Sequence, residues 1–425
     1  MPVMQVAALI GSVLLVVLLN CAAWSDSMPE GVTGNGETDD TAAIQAALDA
    51  AGQTGGEVRL PPGKYLIAGN LRVPTGVCLR GSWEMPHHGA WDKGSTLLIT
   101  GGREQEDGRP TIRLEQSSAL KGFTLVWPEQ QWDNIVAYPW AIHGEGMHNT
   151  VEDVTFVNAY QGISIGAPGW SELHLIRNVF GCVLRRGVQI DGCSDIGRIE
   201  NVHFNPHYWQ RSGHPSIPQD GKDRTMDTAR YMMDNLEAFI FGRTDWQYCT
   251  NTFVFAAKVG YRFVKTGSGA CNGQFSGIGA DAARTCVLVD GIQPIGLQVT
   301  NGEFTSFAGD PNTAIVTAPE ASGAAQFVNC NFWGIRGRLA HLQGNMAVVF
   351  SNCHFVDVPG ETGAILAENG RLSVQGCFFQ KPGVAIGIEP TVQAAIITGN
   401  LQPGGLNVRN GMGARAQISL NEVAE

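Results

Sequence analysis

Acidic side chains crowd two stretches of this chain, and paired carboxylates are the groups that cleave glycosidic bonds. One stretch is Asp191-Gly-Cys-Ser-Asp195-Ile-Gly-Arg198-Ile-Glu200. The other runs through Asp234-Asn-Leu-Glu237 to Gly242-Arg-Thr-Asp-Trp-Gln247, and Asp281 adds a carboxylate further on. Hydrolysis needs one carboxyl kept protonated as a general acid and one kept ionised. Burial beneath Trp209 or Trp246 would raise the pKa of Glu237 or Asp245 toward the acid's role. Arg198 and Arg243 compete for the same groups, and ion pairs there would be structural. Asp191 and Asp195 flank Gly192 and also have the composition of a turn. The catalytic set expected is Asp195, Asp245, Glu237 and Asp281.

Three insertions rich in aromatic residues frame these carboxylates, at 82–95, 127–140 and 205–235. They hold six of the ten tryptophans and the pair His87 and His88. Aromatic faces stack on the C–H faces of sugar rings, and loops on a rigid scaffold carry binding residues. The alternative is that the rings pack on the flanks of the scaffold. The first view expects Trp132, His207, Tyr208, Trp209, Arg243 and Trp246 to bind substrate, with the site between about residues 130 and 285. From about residue 300 onward the chain is more regular and fewer exposed aromatic residues are expected.

A second chemistry is elimination or epimerisation at a uronate. It needs a base beside the C5 proton and an arginine or a calcium ion on the carboxylate. Arg198, Arg243 and Arg284 would serve, assisted by Tyr208 or Tyr248. No tight acidic cluster suits calcium and no Cys/His spacing suits zinc, so no metal or other cofactor is expected. A third reading is a glycan-binding or tailspike-like scaffold without turnover. Hydrolysis ranks first because acidic and indole residues cluster.

The elements that must hold these residues are legible as a repeat. Val151-Glu-Asp-Val-Thr-Phe156, Ile199-Glu-Asn-Val-His-Phe204, Val299-Thr-Asn-Gly-Glu-Phe304, Phe327-Val-Asn-Cys-Asn-Phe332, Phe350-Ser-Asn-Cys-His-Phe355 and Val374-Gln-Gly-Cys-Phe-Phe379 share one plan, with a compressed copy at Ile176-Arg-Asn-Val-Phe180 and a partial one at Cys271-Asn-Gly-Gln-Phe275. Phenylalanines at 156, 180, 204 and at 332, 355, 379 are spaced by 24, 24, 23 and 24 residues. Such a period marks stacked supersecondary units that cannot bury a core singly. Asn, Asp and Gly tolerate the positive φ of a sharp bend, and the Phe faces inward. Short β-branched runs between bends predict an all-β, right-handed parallel β-helix, with coils ~4.8 Å apart. Asp195 lies nine residues before Phe204 and Asp245 eight before Phe253, which puts both on one line. The 49 residues from 204 to 253 read as about two coils, the wider spacing of an inverting pair.

Ahead of the repeat, Gly34-Asn-Gly-Glu-Thr-Asp-Asp-Thr41 leads into an alanine-rich helix capped by Asp39 or Asp40 and ended by Gly52. Its apolar face is Ile44, Ala47, Leu48 and Ala51. An open β-helix end exposes strand edges, so a helix is needed over it. This segment, with Leu60-Pro-Pro-Gly-Lys-Tyr65 and Val73-Pro-Thr-Gly-Val-Cys-Leu-Arg-Gly81, resembles the N-terminal signature of the pectate-lyase-like superfamily. The close resemblance covers residues 31–81, and residues 24–81 are read as cap and first coils of a helix continuing over 82–425. It implies polysaccharide lyases, glycoside hydrolases or tailspike proteins, and it names no catalytic residue. The polygalacturonase pattern of Asn-Thr-Asp, Asp-Asp and Gly-His-Gly is absent, and His143-Gly-Glu-Gly146 does not replace it.

The net charge of −11 argues against a nucleic-acid partner. Residues 6–19 are almost wholly apolar and are followed by Ala22 and Ala23, the pattern of a secretory signal spanning 1–23 and too short for a comfortable membrane span. A lipoprotein site at Cys21 fits less well because Asn20 precedes it. The expectation is an exported protein with a polysaccharide or oligosaccharide partner, for which a side-by-side homotrimer is one available assembly. Cys330, Cys353 and Cys377 recur at one place in successive repeats and read as a ladder of small buried thiols.

Overall fold

The computed structural model describes residues 28–83, 89–308 and 312–423. The secretory-signal segment 1–23 and His87 and His88 lie outside them. Among the described residues no helix is long and apolar enough to cross a membrane.

The chain winds into a solenoid of three parallel sheets, and it is all-β apart from short helices. Sheet A begins at Gly56–Arg59 and Val77–Arg80 and is extended, coil by coil, through the strands bearing Glu152, Arg177, Glu200 and Thr250. Sheet B follows each bend and carries Phe156, Gly181, Phe204 and Val254 in one register column. Sheet C is built from Leu71–Val73, Ile112–Leu114 and Trp140–Gly144, then from later parts of the long strands Thr150–Glu172 and Leu175–Cys193. Those strands run on through the corners, where single residues such as Asp153 and Asn178 take up the bend, so one strand serves more than one sheet.

The bend chemistry explains the repeat. Asp153, Asn178, Asn201, Asn301, Asn329 and Asn352 have φ between 52° and 55°, and Gly376 has 62°. A β-branched side chain would be strained at each. The amides also bond along the stack, Asn201 Nδ2 donating to Asn178 Oδ1 at 2.9 Å and Asn178 Nδ2 to Asp153 Oδ1 at 3.0 Å. Phe156, Phe204, Phe304, Phe332, Phe355 and Phe379 are fully buried. Ring centroids of Phe332, Phe355 and Phe379 follow at 5.1 and 4.8 Å, stacking worth about 0.5–1.5 kcal/mol per pair beyond burial.

Phe180 and Phe253 depart from the pattern. Gly181 and Val254 fill the inward column, and the two rings lie outside against His203. The compressed copy at 176–180, and Cys249-Thr-Asn-Thr-Phe253 of the same length, are therefore one residue out of phase. At the N-terminus the helix Thr41–Ala51 buries Ile44 and Leu48 over the first coil. Asp39 Oδ1 accepts from the Thr41 amide at 3.0 Å, while buried Asp40 binds the amides of Thr33 and Gly34 and so fixes the glycine loop before it. Cys330, Cys353 and Cys377 are buried and unbridged.

Candidate functional site: a groove on the third sheet

The carboxylates singled out in the sequence fall on three different sides of the solenoid. Asp195 and Asp245 share the corner between sheets C and A, where Ser171, Cys193, Thr244, Cys271 and Ile292 form one ladder. They occupy consecutive coils, not coils two apart. Phe204 pairs directly with Val254, so each Asp lies nine residues before its inward residue, and the extra length between them is the 205–235 insertion. Asp195 is exposed. Asp245 accepts from Arg243 Nη2 at 2.9 Å and from Gln293 Nε2. Asp191 is a turn former: its Oδ1 accepts from Gly192 N, Arg243 N and Thr266 Oγ1 at 2.8–2.9 Å.

Glu237 and Asp281 stand apart from that pair. Glu237 opens a sheet C strand, is buried, and is bonded to Arg262 Nη1 at 2.8 Å. Asp281 is on sheet B beside Phe255. Burial pushes its carboxyl up, and its Oδ1 has no partner among the described residues. No single groove holds all four expected catalytic residues.

The expectation for the insertions also needs correction. Trp209 is fully buried, its Nε1 donating to Ser216 Oγ at 2.9 Å. Tyr208 is buried against Phe180 and His203, which pushes its phenol up to about 12. Trp132 is half-buried with the Arg224 guanidinium 5.2 Å over its ring, and His207 is half-buried in the short helix His207–Gln210. Trp127 is fully buried too. Trp127, Tyr138, Tyr208 and Trp209 of the 127–140 and 205–235 insertions are thus packed into the protein and not presented to solvent. Among the described residues the most exposed indoles lie in strands outside the insertions: Trp170 at 48%, Trp246 at 58% and Trp333 at 40%. Trp333, with Phe307 and Phe378, also shows that the later coils do expose aromatic rings.

A polar groove lies instead on the outer face of sheet C in the first coils. Inward residues alternate with outward ones along each strand, so the middle residue of Leu71-Arg-Val73, Ile112-Arg-Leu114, Ile142-His-Gly144, Ile163-Ser-Ile165 and Val188-Gln-Ile190 faces out. Register aligns Arg72, Arg113, His143, Ser164 and Gln189 in one column. Above this column is a cavity of about 930 Å³. One wall is the 100–110 loop with Glu106, Asp107 and Arg109, the other is the turn at Ala167 and Pro168, and half-buried Trp140 lines the floor.

The groups in the groove are tied in a chain. Arg113 Nη2 donates to Glu145 Oε2 at 3.0 Å, and His143 Nε2 contacts Glu145 Oε1 at 3.2 Å. A carboxylate only accepts, so this contact assigns the imidazole proton to Nε2 and leaves the Nδ1 lone pair open. Burial lowers the His143 pKa from 6.5, against the opposing pull of Glu145. Burial acts to raise Glu145, but Arg113 and His143 outweigh it and the carboxyl is lowered. Glu106 is held by Tyr160 Oη at 3.3 Å and lies 3.6 Å from Arg186 Nη2. Arg72 is paired with Asp49 and Glu115. Arg109 is exposed and meets no acidic side chain among the described residues. The apolar–polar–apolar triplets were the available sequence signal for this column.

Comparison with protein families matches residues 28–113 to the rhamnogalacturonase A/epimerase, pectate lyase-like family. That segment contains Arg72, Arg109 and Arg113. No curated protein matches the chain. Among solved structures, the bacteriophage Phi29 gene product 12 N-terminal fragment is 11% identical over 97% of this chain and 75% of its own, with a TM-score of 0.60. The PfbA surface adhesin of Streptococcus pneumoniae is 14% identical, covering 92% and 91%, with a TM-score of 0.44. The Azotobacter vinelandii mannuronan C-5 epimerase AlgE6 A-module is 14% identical, covering 92% and 96%, with a TM-score of 0.41. The Phi29 likeness is one of fold, and the family match identifies the N-terminal segment as pectate-lyase-like.

Proposed function

We propose that the protein is a carbohydrate-active enzyme that binds an acidic polysaccharide in the sheet C groove and removes the C5 proton of a uronate. The observation that carries this reading is the Arg113–Glu145–His143 chain facing the cavity. Arg113 holds Glu145 ionised, Glu145 holds the imidazole in one tautomer, and Nδ1 is the base. The proton alpha to a carboxylate is acidified when a cation neutralises that carboxylate, and exposed Arg109, which meets no acidic side chain among the described residues, is the guanidinium for this. The C–H electron pair passes into the carboxylate-stabilised carbanion. Return of a proton to the opposite face inverts C5, whereas departure of the C4 oxygen substituent leaves a C4–C5 double bond. An acidic polysaccharide is met outside the cell, in keeping with the export read from residues 1–23.

The test is incubation with polygalacturonate and alginate in deuterated buffer. Deuterium at C5, or the ultraviolet absorbance of an unsaturated uronate, supports proton abstraction. Neither signal with either polymer, under conditions where the folded protein is retained by them, sinks it in favour of a glycan-binding scaffold.

Hydrolysis is the second reading, and one observation favours it. Asp195 and Asp245 are one coil apart, ~4.8 Å along the axis, the closer spacing of a retaining pair. Release of reducing ends without unsaturation, abolished by Asp195→Asn and Asp245→Asn and untouched by His143→Gln, would replace the first reading with this one.

A further inference from the structure

We infer that the corner between sheets C and A is a track for a long glycan, continuing the groove toward the C-terminal coils with Trp170 and Trp246 as its stacking platforms. This rests on the reading of the groove as a polysaccharide site, and it adds that the substrate is a polymer running along the solenoid axis.

Continuity is visible residue by residue. The turn bearing Trp170 lies against the groove, since a Cβ built at Gly169 would stand 3.4 Å from the Glu145 carboxyl carbon. On the next coil Gly192 has φ 72°, and a Cβ there would stand 3.8 Å from the Trp170 Cα. The two turns thus lie directly side by side. One coil on come Arg243, Asp245 and Trp246. Gly269 then leaves room for the Arg243 stem, which a Cβ would approach to 3.2 Å.

Trp246 is held out at a conformational cost. Its φ is 63°, a left-handed backbone that a bulky residue rarely adopts, yet its indole is 58% exposed. A network fixes it there. The Trp246 amide donates to Asn272 Oδ1 at 3.1 Å, Asn272 Nδ2 to Gln293 Oε1 at 2.7 Å, and Gln293 Nε2 to Asp245. A shallow cavity of about 130 Å³ opens beside the ring and is lined by Asn272, Gln274 and Gln298. An exposed indole among amide groups has the chemistry of a sugar platform, an apolar face rimmed by hydrogen-bonding groups. Trp170 and Trp246 are two coils apart, about 10 Å along the axis, so a chain lying along the corner meets them in turn.

Affinity gels containing alginate, polygalacturonate or the neutral glucan dextran test the track, beside turnover of alginate and polygalacturonate trisaccharides. Trp170→Ala and Trp246→Ala together should weaken retardation by polymer about tenfold or more, a larger factor than any loss in trisaccharide turnover. Trp246→Phe should keep most of the affinity. Trp246→Gly relieves the left-handed backbone, so it should unfold no earlier than the wild type yet lose polymer binding, a split that a structural tryptophan would not give. His143→Gln should lose turnover and keep polymer retardation, which separates failure of the groove reading from failure of the track. Polymer retardation undiminished in the double variant, or absent in the wild type for all three polymers, overturns the track. Retardation by dextran alone, lost in the double variant, keeps the track and overturns the acidic-substrate reading.

Discussion

The outward column of sheet C reads differently in the two halves of one solenoid. Over the first coils it is Arg72, Arg113, His143, Ser164 and Gln189. In the later coils it is Leu288, Val316, His341, Leu366, Gly387 and, at the last coil, Arg409. Sheet, face and pairing are the same, and only the side chains change. The second half also keeps the regular bends and the stacked Phe332, Phe355 and Phe379 that the first half interrupts with an insertion. Coils that only stack can be uniform, whereas coils that present a site must vary on their outward face while the inward one stays apolar. The proposed site is thus a departure from the repeat, and the repeat is the background that makes it visible.

The two histidines of that column offer the sharpest way to break the comparison. His143 contacts Glu145 with Arg113 behind it, and His341 Nε2 contacts Glu368 Oε1 at 2.8 Å without a guanidinium bonded to Glu368 among the described residues. His143→Gln should reduce turnover by about 10²–10⁴, the range for loss of a general base, with no shift in the unfolding midpoint. His341→Gln should leave turnover unchanged. Equal losses from both would make the outward column irrelevant to the chemistry.

Stability should show the reverse ranking. Phe355 is fully buried between Phe332 and Phe379, so Phe355→Ala should destabilise by about 3–5 kcal/mol in denaturant unfolding. The folded fraction should keep its specific activity. A loss under 1 kcal/mol would mean that the later coils do not hold the solenoid together in the way the stacking implies.

How much of this was legible before the fold was seen follows from the same contrast. The stacked bends were legible because positive φ selects Asn, Asp or Gly regardless of neighbours, and Asn201 and Asn352 could be read singly. The inward phenylalanines were legible through their spacing, except Phe180 and Phe253, where a one-residue slip turns the ring outward. The groove was not. Arg72, Arg113 and His143 are far apart in sequence, and only lateral pairing brings them into one column. Trp209 misled because a polar, proline-rich loop can carry its own buried anchor. The Asp195–Asp245 line was found, but its spacing was not, since an insertion and a coil have similar lengths.

A pH profile sharpens the groove side. A base works when deprotonated, and burial lowers His143 from 6.5, so the acid limb of kcat/KM should fall below pH 6.5. Glu145 pulls that value up and Arg113 pulls it down. Glu145→Gln removes the upward pull, so the acid limb should move to lower pH, and loss of the tautomer's anchor should slow turnover about tenfold or more. A limb that moves to higher pH would assign the titration to another group.

The smallest expected effects lie in the bends and compare the halves on equal terms. Asn352 is exposed, at φ 52°, and Asn201, at φ 54°, also donates to Asn178 Oδ1 at 2.9 Å. Asn352→Ala should cost about 1–2 kcal/mol through the left-handed backbone. Asn201→Ala should cost up to about 1 kcal/mol more through the lost hydrogen bond. Glycine separates the two contributions because it accepts positive φ but bonds to nothing. Asn352→Gly should therefore lie within about 0.5 kcal/mol of the wild type, and Asn201→Gly should retain the hydrogen-bond deficit alone. If alanine and glycine are equally costly at both positions, the asparagines are there for the ladder of amides and not for the bend.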